Sequence, residues 1–178
     1  PFAFVGTSVD ASYDGNGNYA SGSILEYCTV EYGKGITTTM SNPFINQNTI
    51  RYHSDVGINI SSTDIANRSS TIKITNNNIS NVSGGIKYSG FGTAIVTGNT
   101  VKTVSGVGVH IATPDVATVS NNTVEGCDTG INVSRDWWFN FHDYGDITNA
   151  PGDKWAPDII ISDNTVRNNA SKGISVKH

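Results

Sequence analysis

Val119-Ser120-Asn121-Asn122-Thr123-Val124-Glu125-Gly126-Cys127-Asp128-Thr129-Gly130-Ile131-Asn132-Val133, residues 119–133, contains two signatures that recur along the chain. The first is an apolar residue, two residues, Asn, one residue and a second apolar residue, here Val119, Asn122 and Val124. The second is Gly followed by Ile or Val at the start of an alternating strand, here Gly130-Ile131-Asn132-Val133. Outward from this stretch, the Asn signature returns around Asn48, Asn77, Asn99 and Asn164, with Cys28 in the Asn place of the first copy. The Gly signature returns at Gly35-Ile36, Gly57-Ile58, Gly85-Ile86, Gly108-Val109 and Gly173-Ile174. Successive apolar members of the Gly signature are 22, 28, 23, 22 and 43 residues apart, a base period of about 22 with two insertions. Short β-branched strands separated by Gly and Asn turns at this period predict a solenoid of parallel strands. A helical period does not fit, because Ile58-Asn59-Ile60 and Ile131-Asn132-Val133 alternate with period two.

The expected fold is all-β: a right-handed parallel β-helix of about six coils, forming a single domain over 1–178. Residues 1–20 read as a degenerate first coil, and both ends fall inside the repeat, as expected of a module of a larger chain. The Asn position belongs at a tight corner, where Asn tolerates left-handed backbone angles and its amide can bond the same Asn one coil away. Coils about 4.8 Å apart suit such an amide ladder. Ser23-Ile24-Leu25-Glu26-Tyr27-Cys28-Thr29-Val30-Glu31-Tyr32-Gly33, with the Asn-Thr-Ile and Asn-Thr-Val copies, resembles the parallel β-helix repeat family of the pectate-lyase-like superfamily. That resemblance covers residues 21–178 and implies a secreted or cell-surface protein that binds or cleaves polysaccharide. The same coil also serves as inert spacer and adhesin, so fold and function are separate inferences.

Composition narrows the classes further. Charged residues are only 15%, against 19 Gly and 20 Asn, which disfavours a helical bundle. A net charge of −4 with scattered Lys and Arg gives no basic surface for nucleic acid. No apolar run approaches the roughly 18 residues of a membrane-spanning helix.

The alternation assigns surfaces. Thr37, Asn59, Lys87, His110, Asn132 and Ser175 form one outward line, and Glu31, Arg51, Ser80, Lys102, Glu125 and Arg167 form another. The two insertions leave the same edge of the coil, three turns or about 15 Å apart. They are expected to wall a groove with Tyr88, Phe91 and Asp115 near its floor. The longer insertion, 134–157, holds all three Trp. In it Trp137, Trp138, Arg135, Asp136, Asn140 and Tyr144, together with Tyr88, are the candidate ligand-binding residues. Aromatic faces flanked by polar groups suit sugar rings, whose C–H faces stack while their hydroxyls are bonded. The alternative is that the aromatics pin the loop to the coil.

Lys87, His110 and Asp115 are the candidate catalytic group, with Lys or His acting as base against an acidic sugar. A plain solvated polar stripe is the competing account. Arg51, His53 and Asp55 form a second cluster, read as exposed turn chemistry. The paired carboxylates, Gly-His-Gly and Arg-X-Lys of the hydrolases that share the fold are not present, nor are the lyase and epimerase motifs. An enzyme here would be a polysaccharide lyase or glycoside hydrolase. Asp143, Asp146 and Asp153 could offer oxygens to Ca²⁺ but lack a regular ligand spacing, so no cofactor is expected. Cys28 and Cys127, four coils or about 19 Å apart, are too distant for a disulfide. The expected function is extracellular polysaccharide binding, with or without processing. The alternative is a structural, filament-forming β-helix that associates end to end.

Overall fold

The computed structural model describes residues 2–62, 70–112, 115–134 and 158–177. It opens with β1 (Phe2–Phe4) and a hairpin of β2 (Ser12–Tyr13) and β3 (Tyr19–Ser21). Six coils follow. The first has β4 (Ile24–Glu26), β5 (Thr29–Glu31) and β6 (Ile36–Thr39), and the second β7 (Phe44–Asn46), β8 (Thr49–Arg51) and β9 (Val56–Ser62). The third has β10 (Thr71–Thr75), β11 (Asn78–Val82) and β12 (Gly84–Gly90). The fourth has β13 (Thr93–Thr97) and the long β14 (Thr100–Ala112), and the fifth β15 (Val116–Ser120) and the long β16 (Thr123–Ser134). The sixth has β17 (Asp158–Ser162), β18 (Thr165–Arg167) and β19 (Lys172–Lys177). Every pairing between coils is parallel, and the only antiparallel pair among the described residues is β2–β3. This is the right-handed parallel β-helix expected from the repeat.

Each coil has three sides. The first sides stack into a six-stranded sheet, and the second and third sides merge into an eleven-stranded one because β14 and β16 run through the corner between them. Ile36, Ile58, Ile86, Val109, Ile131 and Ile174 pair in one column of the third side, as the Gly signature requires. The first five are fully buried, while Ile174 in the sixth coil is half exposed. Gly57, Gly85, Gly108 and Gly130, before four of these residues, are needed for proximity more than for backbone angle. A Cβ on Gly85 would stand 2.2 Å from the carbonyl oxygen of Gly108 in the next coil. Any side chain there would force the coils apart.

The Asn corner is an unbroken amide ladder. Each Asn Oδ1 accepts both the backbone N–H and the side-chain Nδ2–H of the preceding Asn, at 2.9–3.0 Å from Asn48 through Asn77, Asn99 and Asn122 to Asn164. Nδ2 also donates to a carbonyl of the preceding coil, for example Asn99 to Ile74 at 2.8 Å. Cys28 lies above Asn48 and donates its backbone N–H to Asn48 Oδ1 at 3.0 Å. The expectation of left-handed angles at the ladder Asn is corrected: they belong to the residue before it. Tyr27, Gln47, Asn76, Gly98, Asn121 and Asp163 take φ between 54° and 69°. The turn is made one residue early, which leaves the ladder Asn free to aim its amide inward.

Only Phe2–Phe4 pair in the register of an earlier coil, alongside Ile36–Thr38. Residues 12–21 depart from the expected degenerate coil. Asp14 accepts the backbone N–H groups of Asn16 and Asn18, closing a tight turn that folds the chain back on itself. The hairpin lies on the outer face of the first side, with the Tyr13 and Tyr19 rings each 5.9 Å from Phe44. Lys73 sits 4.0 Å over the Tyr13 ring and donates to the Gly17 carbonyl.

Candidate functional site

The third side presents its outward residues in strict register. Lys87 pairs with Asn59 on one neighbouring strand and with His110 on the other, and His110 pairs with Asn132. Alternation puts these side chains outside because Ile86, Tyr88, Val109 and Ile111, on either side of them, are buried. Lys87 and His110 are therefore one coil apart, about 4.8 Å between strands. His110 Nε2 lies 3.0 Å from Ser134 Oγ, a hydrogen bond that ties the imidazole to the end of β16. Ser61, Ser89 and Ser134 share the next register line, in which Ala112 is fully buried. The strip is cationic at its centre, amide-bearing on both flanks and hydroxyl-lined beside them. Among the described residues it holds no carboxylate.

Asp115 stands at the corner after β14. Its Oδ2 accepts the Gly92 backbone N–H at 2.8 Å, and its own N–H donates to the Gly92 carbonyl at 3.0 Å. The carboxylate therefore ties the fourth corner to the third. Tyr88 does not line a groove floor. It is 1% exposed, pairs in the inward column with Ile60 and Ile111, and donates its hydroxyl to the Phe91 carbonyl. Burial, and secondarily the Asp115 charge, push its phenol well above the ordinary value. The ring is core, and its assignment as a ligand-binding residue is corrected.

The insertions leave from the ends of β9 and β16, which lie on one edge of the eleven-stranded sheet. Trp137, Trp138, Arg135, Asp136, Asn140 and Tyr144 lie outside the described residues, as do Asp143, Asp146 and Asp153. Among the described residues no three His, Cys, Asp or Glu side chains converge as metal ligands would. His53, read from sequence as exposed, is 4% exposed. Its Nδ1 accepts the Gly33 N–H at 2.9 Å, which leaves Nε2–H to donate to the Val30 carbonyl at 3.0 Å. Both cysteines are free thiols, and burial raises the pKa of Cys127.

A second surface, not singled out by the alternation, lies at the corner between the second and third sides. An open groove of about 490 Å³ runs there, with Val82 and Val104 in its floor and Ser54, Ser83, Thr103 and Ser105 among its rim. Tyr32 and Tyr52 stand at the equivalent corner of the first two coils with their rings stacked, 5.4 Å apart and 13° from parallel. The charges on the adjoining side pair with one another, Glu31 with Arg51, and Glu125 with Arg167 at 3.1 Å and Lys102 at 3.7 Å.

Compared with known families, the chain matches the description "right handed beta helix region" over residues 6–124 and 65–178. No curated protein and no solved structure matches it.

Proposed function

The chain belongs to the right-handed β-helix family, and from that premise we propose that it is an extracellular polysaccharide-binding module that engages its ligand along the outward strip of the third side. The observation that supports this reading is the in-register run Asn59–Lys87–His110–Asn132. One polar side chain per coil, at a spacing near the length of a sugar residue, suits a repeating ligand. The adjacent ammonium and imidazole favour a sugar carrying a carboxylate. Processing would be β-elimination. Lys87 or His110 takes the proton α to the uronate carboxyl, a C=C bond forms as the C–O bond to the leaving sugar breaks, and the departing oxygen takes a proton from water.

Titration against polygalacturonate, alginate and neutral glucan tests the reading. Binding of an acidic polymer should weaken at least tenfold in Lys87→Ala and in His110→Ala with the melting temperature unchanged. Ultraviolet absorbance of an unsaturated product would add processing to binding. A parent protein that binds none of these polymers and forms fibres under the electron microscope would favour the structural alternative.

A further inference from the structure

Three exposed tyrosines occupy backbone positions that suit a different residue. Tyr27, Tyr32 and Tyr52 have φ of 54°, 54° and 61°, in the left-handed region where a bulky side chain is disfavoured. At the same corner as Tyr32 and Tyr52, later coils use Asn81, Thr103, Gly126 and Asn168. The misfit is not offset by burial: Tyr27 is 72% exposed, Tyr32 78% and Tyr52 45%. Strain retained at an exposed aromatic is the pattern of a side chain kept for contact with something outside the fold. Tyr32 and Tyr52 stack on one another as an exposed aromatic pair, with the Arg51 guanidinium 5.4 Å from the centre of the Tyr52 ring.

What the pair adjoins identifies the ligand. From Tyr52 the corner continues along the coil axis into the open groove, where Tyr gives way to the smaller Asn81, Thr103 and Gly126. The groove offers hydroxyls and an amide over an apolar floor, and His53 beneath it is committed to Gly33 and Val30. The neighbouring charges are paired as Glu31–Arg51 and Lys102–Glu125–Arg167 on the adjoining side, outside the groove lining. Aromatic faces, hydroxyl partners and a lining without Asp, Glu, Lys or Arg match an uncharged sugar chain, whose C–H faces stack on rings. The coil repeat of about 4.8 Å also approximates one pyranose residue. We propose that Tyr32 and Tyr52 form the stacking end of a second glycan site, in which a neutral polysaccharide lies along the coil axis through the groove from the first coil to the fourth. This site is distinct from the Lys87–His110 strip and stands whether or not that strip binds anything.

Affinity electrophoresis of the whole chain in gels containing xylan, mannan, mixed-linkage glucan or polygalacturonate provides the test. The parent should be retarded by at least one neutral polymer. Asn fits the left-handed backbone, so Tyr32→Asn and Tyr52→Asn should each weaken that retardation at least tenfold while the melting temperature holds or rises. Ser105→Trp, placed across the groove in the fourth coil, should weaken it by a similar factor. Lys87→Ala and His110→Ala should leave it unchanged. If the parent is retarded by no neutral polymer, or if Tyr32→Asn and Tyr52→Asn keep parental retardation, the proposal is overturned. Loss of binding together with a lower melting temperature assigns the tyrosines to the fold and overturns it equally. Retention of binding in Ser105→Trp removes the groove from the site. Polygalacturonate retardation that depends on Lys87 reports on the other surface alone.

Discussion

Two of the three corners of the coil solve the same problem by opposite means. The chain must bend sharply without leaving buried backbone groups unpaired. At the first corner the strand always breaks, and the lost sheet bonds are replaced by side-chain amides running from Asn48 to Asn164. At the second, Val82, Val104 and Cys127 stack in register, and β14 and β16 continue through the bend with backbone pairing almost intact. In that inward column polar side chains stand at the two ends: His53 accepts the Gly33 N–H, and Asn169 Oδ1 accepts the Cys127 N–H at 2.9 Å. A sharp bend needs a specific acceptor in each coil, whereas a shallow one needs only apolar filling and room for the next coil. That room is the reason for Gly57, Gly85, Gly108 and Gly130 at the exit of the second corner.

The largest effect should come from filling that room. Gly85→Ala places a methyl 2.2 Å from the Gly108 carbonyl oxygen and 2.6 Å from Val101 Cγ1. A loss of about 3 kcal/mol is expected, read by denaturant unfolding. Asn99→Ala should rank next, at about 2 kcal/mol. It strips the Asn77 N–H of its acceptor and the Ile74 carbonyl of its donor inside a buried corner. Cys127→Val, at the second corner, keeps the apolar filling and should cost under about 1 kcal/mol. If Asn99→Ala proves no more costly than Cys127→Val, the contrast between the corners fails.

The smallest effect lies on the outer face between them. Hydrogen bonds first from Arg167 and then from Asn168 hold the Glu125 carboxyl below its ordinary value. A folded-state pKa below the unfolded one contributes stability above the unfolded carboxylate range, lost as pH falls through the folded value. Glu125→Gln should therefore lower the melting temperature slightly at neutral pH, leave it unchanged in acid, and lose its effect in high salt, because the pairs are exposed.

The columns of this fold were legible because period-two alternation is strict wherever one face is buried. Ile36 to Ile174, the outward run Thr37 to Ser175 and the ladder asparagines all fall where the two signatures put them. The same rule places Tyr88 inside, two residues after Ile86, and its size and hydroxyl were a weaker guide than its parity. His53 was misread because a corner position carries no alternation, and its burial follows from an unpaired Gly33 N–H that only the stacked coils reveal. Tyr32 and Tyr52 stayed hidden for a related reason. Their column changes identity from Tyr to Asn, Thr and Gly, so its common property is backbone angle, which side-chain patterns do not display.

The one-way sense of the amide ladder bears on how the molecule is made. Every corner N–H points forward to an oxygen supplied by the following Asn, so a newly synthesised coil is unfinished when it leaves the ribosome. The Cys28 N–H waits 20 residues for Asn48, and the Asn122 N–H waits 42 residues for Asn164. At about 5–20 residues per second the longer wait lasts about 2–8 s. During biosynthesis the completed solenoid trails the growing chain by one coil, and that lag is longest where the large insertion separates the fifth coil from the sixth.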